Sequence, residues 1–416
     1  MFFWNWYNQD RAEFAIATAK RDTVRLAVAS LAGQNAVSDA MPQGDQGGTM
    51  PRISGRMSAL LVLAFVATGG AMKPADAATY VYVGNAQSND IDVLKLDPQT
   101  GDLTPVEKVA MPGISKPGPS SPLAIAPDKR NLYMAIRAEP YIAASFEIDQ
   151  ANGKLKPTGF GPLNESLAYI SIDPGGRFIL GASYGGNRYT VNPISPERLV
   201  WPPQYVAAGI PKAHEILADP GNRFVLGTSL GSDRIYQFRF DARSGDLQPN
   251  DPPFVTLKEK SGPRHFRFHP NGKLVFVVCE LDGSVYTFGY DADKGALAQK
   301  HVISTLPAGY SGKIWTADLH LSPDAKFLYV SERGTSEIAA FSVGDDGVLT
   351  AIDRYPTEEQ PRGFNIDPSG RYLLAVGEVS NSMTSYAIDG TTGTLTKLKQ
   401  YPMGKSPNWV EIIELP

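Results

Sequence analysis

The residues best suited to chemistry in this chain recur at fixed offsets from a repeated proline. Six residues before Pro127, Pro174, Pro220, Pro270, Pro323 and Pro368 stand Ser121, Ala168, His214, Arg264, Ala317 and Arg362. Ten residues after them stand Arg137, Tyr184, Leu230, Glu280, Arg333 and Glu378. These two rows hold one histidine, four arginines and two glutamates. A neutral imidazole or a carboxylate can take a proton from water. A guanidinium can stabilise a developing oxyanion or grip an anion with its forked donors. If both rows share one rim of a fold, that rim is a polar pocket for a small anionic ligand.

Each candidate also has a plainer reading. His214, in Pro211-Lys212-Ala213-His214-Glu215, is a base or a hydrogen-bonded structural histidine. Arg264 and Glu280 mirror each other across one turn, and Arg362 and Glu378 across another. Each pair reads as a site or as an ion pair closing a hairpin. Arg333 mirrors Ala317, so it is expected to lack a cross-strand partner and to be free for a ligand. His265 stands one residue out of register with Arg264. Strand alternation then turns it away from the rim, into packing. His269 and His320, near turns, read as structural. His301 is placed in a loop, Trp315 and Trp409 in the core in preference to an apolar wall, and Cys279 as a small buried hydrophobe.

The elements that must position these residues repeat. Gly262 to Glu280 reads as two strands joined by a tight Pro270-Asn271-Gly272 turn, with β-branched and apolar residues in both arms. Five relatives of this hairpin surround the other prolines, at intervals of 45 to 53 residues. That period, with several strands per unit, predicts an all-β propeller whose inner strands are the hairpins. Two runs are left over. Trp409 to Leu415 looks like a seventh inner strand without a partner, and Thr79 to Gly84 lacks an inner strand of its own. Pairing these N- and C-terminal strands closes a seven-bladed ring and hides both edges.

Composition narrows the function. The net charge of −4 argues against a nucleic-acid footprint, which needs a clustered basic face. The single cysteine excludes an internal disulfide and a Cys-x-x-Cys metal site. The rim is rich in arginine and poor in carboxylates, which disfavours calcium. Residues 1–49 fall outside the repeat and read as an extension absent from the working protein or without fixed structure. Residues 50–77 carry Arg52 and Arg56, an apolar run from Ser58 to Ala67, and Ala75-Asp76-Ala77. That is the order of a secretory signal peptide, too short to span a membrane. The mature part, 78–416, is expected to be a monomer in the periplasm or outside the cell, with no stable membrane insertion; a cytoplasmic location is the alternative.

Gly262-Pro263-Arg264-His265, His269-Pro270-Asn271 and Cys279-Glu280-Leu281 together resemble a Gly-Pro-Arg-His…His-Pro-Asn…Asn-Glu-Leu signature. It belongs to the lactonase family of propeller-type 6-phosphogluconolactonases and 3-carboxymuconate lactonizing enzymes. Trp315 to Asp324 and Gln360 to Asn365 look like two further family motifs. Cys279 departs from the asparagine common in the signature. The resemblance implies a seven-bladed propeller, no cofactor, and a metal-independent site using a histidine, two arginines and a glutamate. These map onto His214, Arg264, Glu280 and Arg333, with Arg362, Arg137 and Glu378 left as substrate-binding candidates. The implied activity is hydrolysis of a small anionic sugar lactone, 6-phosphogluconolactone foremost. Alternatives are an exported gluconolactonase, a carboxymuconate cycloisomerase and a non-catalytic binding propeller.

Overall fold

The computed structural model describes residues 77–111, 114 and 116–416. The extension over 1–49 and all but the last residue of the signal segment over 50–77 lie outside the described residues.

The described chain forms seven four-stranded antiparallel sheets. Blade 2 spans 123–162, blade 3 spans 167–208, blade 4 spans 213–256, blade 5 spans 263–304, blade 6 spans 316–356 and blade 7 spans 361–402. Blade 1 joins 78–110 to the C-terminal strand Pro407–Leu415. That strand is innermost and pairs with Ala78–Asn85, from Ala78 opposite Leu415 to Gly84 opposite Trp409. The expected closure is therefore present, and it gives Ala78–Asn85 the inner partner it lacked and the C-terminal strand a sheet to join.

Local chemistry accounts for the repeated turn. In five of the six turns the residue before the proline caps the turn by accepting backbone N–H groups, as Asx-type turns do; in blade 2, where Ala126 precedes Pro127, Asp128 accepts from the Arg130 N–H instead. Asp173 accepts from Gly175, Arg177 and Phe178. Asp219 accepts from Arg223 and Phe224, and Asp367 from Ser369 and Tyr372. In blade 6 the Ser322 hydroxyl accepts from the Phe327 N–H. In blade 5 His269 does the same job, its Nδ1 accepting from the Asn271 N–H at 3.0 Å. His269 is thus structural, as expected.

Apolar strand faces pack between neighbouring blades. Phe266, Val275, Val277 and Phe288 of blade 5 pack against Leu226 and Ile235 of blade 4. Burying each such side chain fully is worth about 1.5–3 kcal/mol. Cys279 lies in the same cluster, fully buried and unpaired. His301 departs from expectation: it sits in the strand Ala296–Ser304 opposite Thr287, not in a loop.

The inner strands are not regular. In six blades the register slips by one residue near the same end. The shift falls between Leu167 and Tyr169, Ala213 and Ile216, Pro263 and His265, Thr316 and Leu319, and Pro361 and Gly363, and opposite Gly84 and Asn85 in the C-terminal strand. These are β-bulges, in which one extra residue re-aims the side chains around it. Five of the extra positions are residues of the first row: Ala168, His214, Arg264, Ala317 and Arg362.

Candidate active site

The bulges bring both rows to one mouth of the central channel. Arg137, Ala168, Tyr184, His214, Arg264, Glu280, Arg333 and Arg362 line a single cavity of about 270 Å³ together with Trp315. Ser121, Leu230, Ala317 and Glu378 do not line it. A larger groove of about 850 Å³ runs along outer strands past Arg130, Asp149 and Lys156. It holds none of the histidines; the candidate residues gather at the smaller cavity.

Glu280 ties two blades together. Its Oε2 accepts from Arg264 Nε at 2.9 Å and from Arg333 Nη2 at 2.8 Å. Arg333 is therefore not free. Its partner comes from the neighbouring blade, a contact invisible to reasoning within one hairpin. The Arg333 guanidinium also lies 4.0 Å from the Trp315 ring, a cation–π contact. Trp315 is a cavity wall, not core. Arg362 pairs with Glu378 at 3.2 Å, so Glu378 acts behind Arg362 and not on the cavity. Arg137 donates to Ser120 Oγ at 2.6 Å and to Ser166 Oγ at 3.2 Å, and among the described residues to no carboxylate.

Four guanidiniums thus face two carboxylates. Burial, then the charges of Arg362 and Arg264, press the Arg137 pKa down to about 9. Burial and Arg264 do the same to Arg333, to about 9. Arginine keeps its proton in proteins. The downward pressure is therefore the cost of holding uncompensated charge, which a bound anion would relieve. Burial raises the Glu280 carboxyl, but Arg264 and Arg333 outweigh it and hold it below its ordinary range. Burial first, then Arg264 and His265, keep His214 neutral, well below the usual imidazole value. Its Nδ1 is buried without a hydrogen-bond partner.

A second polar layer lies beneath the cavity. His265 does not turn away, because a bulge puts consecutive side chains on one face. It is buried in the channel, its ring 5.1 Å from that of His214. Its Nδ1 lies 2.8 Å from Asp318 Oδ1, and His320 Nε2 lies 3.2 Å from Asp318 Oδ2. Arg267 donates to Glu215 at 2.6 Å. Trp409 packs edge-on against Tyr169 at 5.1 Å. Sequence reasoning missed Asp318 and Glu215. Each directly follows a first-row residue, and the proline or glycine just before several bulges (Gly262-Pro263, Gln360-Pro361) was the available sign of an irregular strand. Among the described residues no group of three or more His, Cys, Asp or Glu could hold a metal ion.

Comparison with known proteins places this geometry. Residues 77–412 match the family model described as Lactonase, 7-bladed beta-propeller. The chain is 39% identical over 334 residues to the 6-phosphogluconolactonase of Serratia proteamaculans, covering 80% of this chain and 98% of that protein. It is 38% identical over 336 residues to the protein of the same name from Pectobacterium carotovorum, again covering 80% and 98%. Among solved structures it resembles the periplasmic gluconolactonase of Pseudomonas aeruginosa. The TM-score is 0.75 at 26% identity, covering 82% of this chain and all of that one (100%).

Proposed function

The chain belongs to the seven-bladed β-propeller lactonase family, and from that premise we propose that it hydrolyses 6-phospho-D-glucono-1,5-lactone to 6-phosphogluconate. The observation that carries this reading is a neutral, buried imidazole set among four guanidiniums with only two carboxylates to balance them. His214 takes a proton from water as the water oxygen bonds to the lactone carbonyl carbon. Arg264 stabilises the negative charge that forms on the carbonyl oxygen, the more strongly as bound substrate displaces water from the cavity. The ring ester bond then breaks, and the departing ring oxygen recovers the proton from His214. Glu280 holds Arg264 and Arg333 in place. Arg137 and Arg362 receive the phosphate, whose oxygens match the guanidinium fork.

Arg264→Ala tests the assignment. Loss of an oxyanion donor lowers kcat on 6-phosphogluconolactone by about 10²–10³-fold; turnover within a few-fold of wild type overturns it. A second reading has its own support. The signal-like segment over 50–77 and the likeness to a periplasmic gluconolactonase favour an exported enzyme acting on unphosphorylated gluconolactone. Hydrolysis rates on the two lactones, with and without chelator, separate these readings, and cell fractionation tests export.

A further inference from the structure

We propose that Lys212 and Lys313 form an outer pair of cations that draws an anionic lactone to the cavity and favours it over an uncharged one, a role that rests on reading the phosphorylated lactone as the substrate. A phosphate monoester carries nearly two negative charges at neutral pH. The chain itself has a net charge of −4, so its average field opposes such a substrate. Approach to the cavity therefore needs a local reversal of sign at the mouth. The four arginines lie within the cavity, and Glu280 and Glu378 offset part of their charge.

Two aromatic side chains, Tyr184 and Trp315, complete the cavity wall, and each carries an exposed lysine. Lys313 Nζ lies 3.6 Å from the Trp315 ring, and Lys212 Nζ 5.8 Å from the Tyr184 ring. Among the described residues neither ammonium pairs with a carboxylate. The nearby acids are already engaged. Glu332 accepts from the Trp315 and Gly334 N–H groups, each at 2.8 Å, and from the Thr316 hydroxyl. Glu165, bonded to Ser183 next to Tyr184, pairs with Arg188 at 3.0 Å. The lysines enter from different sides, Lys212 on the connection into blade 4 and Lys313 on the connection into blade 6. Their backbones are held. The Lys212 N–H donates to Asn187 Oδ1 at 2.8 Å, and the Lys313 carbonyl oxygen accepts from the Tyr310 hydroxyl at 3.0 Å. Their ammonium ends are not. A cation resting on an exposed ring loses little when it turns to an anion, and the flexible lysine stem lets it follow one. A lysine present only to pack on its ring would act alike on charged and uncharged substrates.

The test uses the purified full chain as wild type, Lys212→Gln, Lys313→Gln, the double Gln variant and the double Arg variant. Kinetics on 6-phosphogluconolactone and gluconolactone are measured from about 0.01 M to about 1 M salt, over which the Debye length shrinks from about 30 Å to about 3 Å. At low salt each Gln change should lower kcat/KM on the phosphorylated lactone by about 3–5-fold, the upper range for one exposed charge pair. Both together should cost about 10-fold or more, with kcat unchanged. The loss should fade as salt rises, and gluconolactone kinetics should not move. The double Arg variant keeps both charges and should behave as wild type. The proposal is overturned if the double Gln variant stays within about two-fold of wild type on the phosphorylated lactone at low salt. It is equally overturned if both lactones lose alike, or if the loss persists at about 1 M salt. Failure of the substrate reading shows separately, as a wild-type chain that does not turn over the phosphorylated lactone. Inorganic phosphate then judges the lysines. Its rise of the unfolding midpoint at low salt should be smaller in the double Gln variant than in wild type, and an equal rise overturns the proposal.

Discussion

Replacing Glu280 by Gln isolates the charge that joins blades 5 and 6. The substitution keeps shape and one acceptor oxygen, so both arginines can still donate to it; what goes is the negative charge. The side chains concerned are 1% exposed for Arg264, 3% for Arg333 and 13% for Glu280. At an effective dielectric of about 20 and a separation of about 4 Å, each attraction is roughly 4 kcal/mol before desolvation is counted. Breaking one partner of a buried pair costs a net of about 3–5 kcal/mol. The retained hydrogen bonds put Glu280→Gln at the lower end, about 3 kcal/mol, or a fall in the unfolding midpoint of roughly 4 °C for a domain of this size. The pH dependence fixes the cause. Arginine contacts hold the folded carboxyl below its ordinary 4.5. Its contribution is therefore complete above that value and is lost as pH falls through the lower folded one. Calorimetry should show a constant gap between wild type and Glu280→Gln at neutral pH, narrowing below pH 4.5. Inorganic phosphate should raise the variant's midpoint more than the wild type's, because four guanidiniums then face only Glu378. An unchanged midpoint at neutral pH would refute the reasoning, as would a gap that stays constant into acid.

Other outcomes follow from the same geometry. The neutral His214 should keep the kcat/KM profile level through pH 6.5, the ordinary imidazole value, with the acid limb lying lower; a limb centred at or above that value would remove His214 as the base. Arg137 has no carboxylate partner, so Arg137→Ala should raise KM for 6-phosphogluconolactone by about 10–10²-fold, the worth of one charged hydrogen bond. It should leave gluconolactone kinetics nearly unchanged, and steady-state rates on both substrates check this. Deleting 407–416 strips Ala78–Asn85 of its inner partner and leaves the ring open. The truncated chain should aggregate and lose its cooperative unfolding transition in a thermal scan.

The architecture was legible because its signals are local. Five of the six turns carry their own cap before a proline, and the spacing of the prolines fixes the blade period without knowledge of any distant contact. Closure could be read by counting strands, since one unpaired run at each end has a single economical solution. The charge pairs were legible only within a hairpin. Arg264 with Glu280 and Arg362 with Glu378 meet as their mirrored positions require. Arg333 reaches Glu280 across 53 residues of sequence, and no pattern in either strand announces it. Trp315 was assigned to the core on hydrophobicity alone, yet it serves as a flat surface for Arg333. His265 was misplaced for a different reason. Perfect alternation was assumed, and a single inserted residue reverses the facing of everything beside it.

That insertion explains how narrow inner strands supply enough chemistry. A regular strand offers the channel every second side chain, so positions in one blade are spaced two residues apart along it. A bulge lets two consecutive residues face inward, the first at the cavity and the second beneath it. His214 and Glu215, and Arg264 and His265, are such pairs; Ala317 and Asp318 hold the same positions, though Ala317 stops short of the cavity. The extra backbone groups need partners, and facing hydroxyls provide them. Thr228 Oγ1 accepts from the Glu215 N–H at 3.1 Å, and Ser331 Oγ from the Asp318 N–H at 3.0 Å. Thr228 also donates to the Arg264 carbonyl oxygen at 2.6 Å, linking the bulges of adjacent blades. In blade 7 the second residue is Gly363, where a Cβ would come within 2.6 Å of the Asn408 carbonyl oxygen. There the strand closing the ring approaches too closely for any side chain. The cavity residues and their supports are thus neighbours in sequence, so a change at either member of a pair alters the other through one shared irregularity of the backbone.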